Sequence, residues 1–214
     1  MNLKIDLVQY IAGRTPAAFF PRAVELLEAA YFAAFQHSET FDEPERRHSL
    51  GYLRHHRCNE ALRNAGSECG LVAVAPHTTP KGARFSLVAA EDIRFGRISV
   101  PLDNKQPRPS KHRKTIAALN SRLEPLNADL FSEDSEAAPS DGLGCLLLTV
   151  NPHKRDSQSV PASVLVGVPY TNLRGWHLLE PVSQIMAAYH PTENIEVPDQ
   201  AFAKLKKQLG DSEK

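Results

Sequence analysis

Apolar residues recur at helical spacing up to about Gly66, and from Gly70 onward they alternate in short segments separated by turns. A chain that switches from period 3.6 to period 2 in this way must pack a helical layer against a sheet. Asn2 is placed to cap a short first helix carrying Leu3, Leu7, Val8 and Ile11 on one face and ending at Gly13. Leu3, Ile5 and Leu7 also fit a strand, so both readings stay open there. Thr15-Pro16 marks a second start, and Pro21 to His37 is apolar on more than one face, which predicts a central buried helix. A third helix runs from about Glu45 to Ala65, with Gly66 placed to stop it.

Beyond Gly70, the segments Leu71–Ala75, Arg84–Ala89 and Ile93–Val100 are joined by turns and read as an antiparallel meander. Pro101, Pro107 and Pro109 break the chain before a helix from about Ser110 to Leu123. Leu143–Val150 and Ser163–Val168 supply strands four and five, and helices near Leu178–Tyr189 and Pro198–Leu209 follow. The expectation is one α+β domain over residues 1–209, with a mostly antiparallel sheet of about five strands. Its helices are N-terminal, intervening and C-terminal. Residues 132–142 read as an acidic, mobile loop and 210–214 as a frayed tail.

Composition narrows the class. With 42% hydrophobic residues and 25 basic residues against 25 acidic ones, the chain is not collagen, a coiled-coil rod or wholesale disorder. It carries neither a secretory leader pattern nor an apolar run long enough to span a membrane, so a cytoplasmic protein without a membrane partner is expected. Cys58, Cys69 and Cys145 form an odd set without a CxxC. Reduced thiols fit better than a Cys58–Cys69 disulfide.

Net neutrality conceals segregation. Residues 1–42 carry a net −2, 43–122 a net +8, 123–142 a net −6, and 143–214 are balanced. Within the basic middle, Arg47, Arg54 and Arg57 fall within about 80° of one another on the third helix and share its apolar stripe. Guanidinium forks match phosphate geometry, so these three are candidate anion ligands, unless they reach past the helix edge or pair with acids such as Glu91 and Asp92. A second cluster, Lys105, Arg108, Lys111, Arg113 and Lys114, precedes and opens a helix. With Lys154 and Arg155 it suits a phosphate-tracking groove, where Phe95 and Tyr52 are the available stacking rings. The acidic loop can instead fold over this cluster and compete with a polyanion.

Two catalytic patterns are visible. Asp92, Asp103 and Lys105 form D-x10-D-x-K, which superficially resembles the half-motif of Mg²⁺-dependent restriction-type nucleases. His55 or His56 beside arginines has the makings of a metal-independent nuclease. The histidine spacing argues against a zinc site, and no cofactor is required by the sequence. Trp176 caps the core or anchors a partner. The functional expectation is binding of nucleic acid or another phosphate-bearing ligand through the basic middle. The alternative is a non-catalytic module that binds an acidic protein partner, such as a toxin–antitoxin or defence component.

Overall fold

The computed structural model describes residues 3–78, 80–124 and 142–190. Three helices come first: α1 (Leu3–Arg14), α2 (Phe19–Ser38) and α3 (Glu43–Glu68). Strands β1 (Val72–Val74), β2 (Leu87–Ala90) and β3 (Ile93–Val100) follow, then α4 (Lys111–Ala118) and one 3-10 turn at Ser121–Leu123. Strands β4 (Leu143–Val150), β5 (Ser163–Pro169) and β6 (Trp176–Pro181) lead into α5 (Val182–Ala187).

The six strands form one sheet in sequence order. The expected antiparallel meander is present in β1–β2–β3, and β4–β5–β6 forms a second. Two features depart from the sequence expectation. β3 and β4 pair in parallel, which makes the sheet mixed, and the helix expected over Leu178–Tyr189 forms only as α5, its first residues belonging to strand β6. Leu178 and Leu179 point to opposite faces as in a strand, and a register irregularity beside Val168 and Pro169 sets Trp176 on the same face as Leu179. The residues expected to form a helix at 198–209, the tail and the acidic loop apart from Gly142 lie outside the described residues.

Alternation along the strands divides the interior in two. Phe95, Cys145, Leu147, Val166 and Val168 meet α1, α2, α3 and α5, with the rings of Phe19, Phe20 and Phe95 in mutual contact. On the opposite face, Ile98, Leu146, Leu148 and Leu165 meet Ile116 of α4. Gly144 lets α4 approach, since a Cβ there would sit 1.9 Å from the Ile116 carbonyl oxygen. The fully buried Asn120 then fastens the end of α4 to the sheet. It donates to the Gly144 and Pro169 carbonyls at 3.0 and 2.9 Å and accepts from the Gly144 N–H at 2.8 Å.

Gly66 does not stop α3. It lies inside the helix, where its missing side chain admits Val88, and the turn comes at Gly70 with φ of 75°. The three cysteines are unpaired.

Candidate functional site

β2 pairs with only the first half of β3, opposite Ile93 to Phe95, so the second half of β3 has no strand neighbour on that side. α3 on one face and the start of α4 on the other both reach this notch. The result is a cleft of about 220 Å³ lined by Gly51, His55, Asn59, Phe85, Ser86, Arg97, Ser99, Arg108, His112 and Arg113. No aspartate or glutamate is among them.

Each side chain arrives by a local rule. Gly51, His55 and Asn59 are spaced by four on α3 and therefore share one stripe. Ile93, Phe95, Arg97 and Ser99 all point to the helical layer, and the last two replace apolar residues with polar ones where the core gives way to the cleft. Ser110 caps α4 by accepting from the Arg113 N–H, which sets His112 and Arg113 at the cleft.

Arg97 is the central cation. It is only 7% exposed, and its partners are all neutral: Asn59 Oδ1 at 3.3 Å, Ser99 Oγ at 3.1 Å and Thr149 Oγ1 at 3.5 Å. Arg113 donates to the Arg108 carbonyl at 2.7 Å, while its buried Nε has no partner. Burial lowers the pKa of Arg113, and the charges of Arg97 and Arg108 add to that effect. Among the described residues, none of these three arginines forms an ion pair with a carboxylate.

The histidines report the same field. Burial, then Arg113, then His55 push His112 down to about 4, and its ring stacks on Phe85 at 4.6 Å. Burial and then Arg97 lower His55. Asn59 faces Arg97 with its amide oxygen, so its nitrogen is 3.2 Å from His55 Nε2 and must donate to it. His55 is thereby held neutral with its proton on Nδ1.

The structure distributes the sequence-predicted residues unevenly. His55, Arg108 and Arg113 line the cleft. His56 faces a neighbouring groove of about 610 Å³ with Arg63, Lys81 and Arg84, and Asn59 lines both spaces. Arg54 turns inward, where it donates to the Gln158 carbonyl and lies 4.5 Å from the Tyr31 ring; Arg47 and Arg57 are exposed. The three arginines of α3 therefore do not share one environment. Lys105, Lys111, Lys114, Lys154 and Arg155 are exposed.

Asp92 and Asp103 sit beyond opposite ends of the eight-residue β3, roughly 26 Å of strand apart. Asp92 pairs with Arg14 at 3.2 Å and accepts from the Tyr10 hydroxyl, so it does not converge with Asp103 and Lys105. Among the described residues, no group of three or more His, Cys, Asp or Glu side chains is placed to hold a metal ion. Trp176 packs over Gly167 and donates to the Lys105 carbonyl at 2.9 Å. Phe95 is fully buried and cannot stack on a ligand, whereas Tyr52 is exposed.

Sequence reasoning missed Arg97, Asn59 and Phe85. The signals were present: a four-residue polar spacing on α3, and an inward strand face that changes from Ile93 and Phe95 to Arg97 and Ser99. No helix among the described residues is long and apolar enough to cross a membrane. Compared with known proteins, the chain has no matching family model, and neither a curated protein nor a solved structure matches it at significance.

Proposed function

We propose that this protein binds a phosphate-bearing ligand, nucleic acid or a smaller phosphate ester, in the cleft between α3, β3 and the start of α4. Arg97 carries the reading. A buried guanidinium with only neutral partners is costly, and this one shares its cleft with two further guanidiniums, Arg108 and Arg113. An anion entering the cleft supplies the missing counter-charge, and His55 Nδ1–H adds a donor. The cationic groove beside it, with Arg63, Lys81 and Arg84, extends the surface along which a polyanion can run.

A nuclease step has less behind it. The Asp92–Asp103 pattern is not assembled, and the Nε2 lone pair of His55 is engaged by Asn59. The protein-partner alternative rests on the edge strand β1, whose Val72 and Val74 are 66% and 45% exposed.

Equilibrium binding of single-stranded RNA, duplex DNA and inorganic phosphate over a salt series tests the proposal. Log affinity for a polyanion is expected to fall with log salt by about 0.7–0.9 per phosphate neutralised. Absence of binding to all three probes, or binding indifferent to salt, would sink it.

A further inference from the structure

A second chamber adjoins the arginine cleft and shares two of its walls. About 680 Å³ in volume, it is lined by Pro80, Ala83, Phe85, Leu87, His112 and Ile116 together with Thr78, Ser110, Lys111 and Thr115. Phe85 and His112 line both spaces, and their stacked rings stand 4.6 Å apart with 16° between the planes. On one side of this pair every charged group is cationic. On the other side the surface is mainly apolar, with hydroxyls, one ammonium and the imidazole of His77 at intervals.

We infer that the ligand is a nucleoside phosphate, with its phosphate in the arginine cleft and its base in the chamber beyond Phe85 and His112. This deepens the phosphate reading and rests on it. The cleft is too small for a whole drug-sized molecule, whereas the chamber falls within the usual range of small-molecule sites. A chamber bordered by aromatic and aliphatic side chains with hydroxyls between them favours a heteroaromatic ring over an acyl chain. Thr78, Thr115 and Lys111 match a ring with hydrogen-bonding edges, which a hydrocarbon tail lacks.

Calorimetry on the full chain with inorganic phosphate, adenosine monophosphate, and a 5′-phosphorylated oligoadenylate tests this. Adenosine monophosphate is expected to bind roughly ten- to hundredfold more tightly than inorganic phosphate, the increment that base stacking provides. Ala83 is exposed, so Ala83→Trp fills the chamber from the rim and is expected to abolish that increment while leaving phosphate affinity unchanged. Thr115→Trp does the same from α4 and serves if the first variant fails to fold. Arg97→Met is expected to weaken both ligands.

Equal affinity for phosphate and the nucleotide, or a chamber variant that weakens both equally, overturns the inference and leaves the phosphate cleft standing. No binding of any probe to the wild type removes the phosphate reading as well. The oligonucleotide separates the two sources. Affinity no greater than that of the mononucleotide assigns a free nucleotide, and affinity at least tenfold greater assigns a nucleic-acid strand, with the base in the chamber in both cases.

Discussion

Arg54 of α3 and Arg97 of β3 are both buried, at 8% and 7% exposure, and the charge of each reaches Cys58. On the side facing α2 and the β4–β5 loop, Arg54 meets groups that complement a cation: the Gln158 carbonyl, the Gln158 Oε1 at 3.3 Å and the face of Tyr31. On the side facing β3 and α4, Arg97 meets hydroxyls and an amide, with two more arginines close by. The first neighbourhood engages its cation with a carbonyl, an amide oxygen and a ring face, although burial lowers the Arg54 pKa and its Nε has no partner among the described residues. These contacts fasten the 151–162 loop to α3. The second places its cation in a cleft shared with two further arginines, which on the proposed function receives an anion from outside. Burial alone does not distinguish a structural arginine from a binding one; the sign and direction of what surrounds it does.

Substituting each with methionine, which keeps much of the volume, breaks the comparison if the two behave alike. Arg97→Met carries the largest expected effect. Ligand affinity should fall by about 1.5–3 kcal/mol, the worth of a charge-assisted contact, while the melting temperature holds or rises because an unpaired buried charge is gone. Arg54→Met should do the reverse, with about 2 kcal/mol of stability lost as the Gln158 carbonyl goes unpaired and Tyr31 loses its cation. Its ligand affinity should be unchanged. Thermal melts and calorimetry on both variants read out all four numbers. A large stability loss in Arg97→Met would assign that arginine to the fold instead.

This contrast also marks where the sequence was legible. The helix-then-sheet order, the central α2 and the first meander follow from apolar periodicity, which is a local property of the chain. The parallel pairing of β3 with β4 is not local, because it depends on α4 crossing the sheet over the Gly144 gap. β6 was hidden because Leu178 and Leu179 also fit the apolar spacing of the helix that follows, and the boundary is carried by Pro181 alone, which precedes α5. Charge segregation singled out the stretch of chain that contributes Arg108 and Arg113 to the cleft, but not the other side chains that converge there. Arg108 and Arg113 stood out in a run of bases, whereas Arg97 lies within a strand whose inner face opens with the apolar Ile93 and Phe95. Its role emerges only when the short β2 leaves half of β3 uncovered.

His112 gives a smaller effect that sharpens the picture of the cationic side. Its folded pKa of about 4 lies below the ordinary value of 6.5, chiefly through burial and then Arg113. The unfolded chain therefore binds the proton more readily. The stabilising contribution is complete above pH 6.5 and is lost as pH falls toward 4. Discounted for partial solvent access, it should amount to roughly 1–2 kcal/mol between pH 7 and pH 4.5. Melting across that window should show the decline in the wild type and a flatter curve in His112→Gln. A bound phosphate should lift the histidine pKa and so reduce the decline. If phosphate leaves the curve unchanged, the anion is not beside His112.

The smallest effects concern the exposed arginines of α3 and decide how far the ligand extends. Arg47→Ala and Arg57→Ala should each shift stability by no more than about 0.5 kcal/mol, since both side chains are exposed. Their affinity for a mononucleotide should also be unchanged, because neither lines the cleft. A nucleic-acid strand is different: each arginine that neutralises a phosphate contributes to the salt dependence, and its loss lowers the slope by about 1. A reduced slope in either variant extends the binding track from the cleft along the outer side of α3. An unchanged slope confines recognition to Arg97, Arg108 and Arg113. The binding site would then be the cleft alone, and Arg54 purely structural.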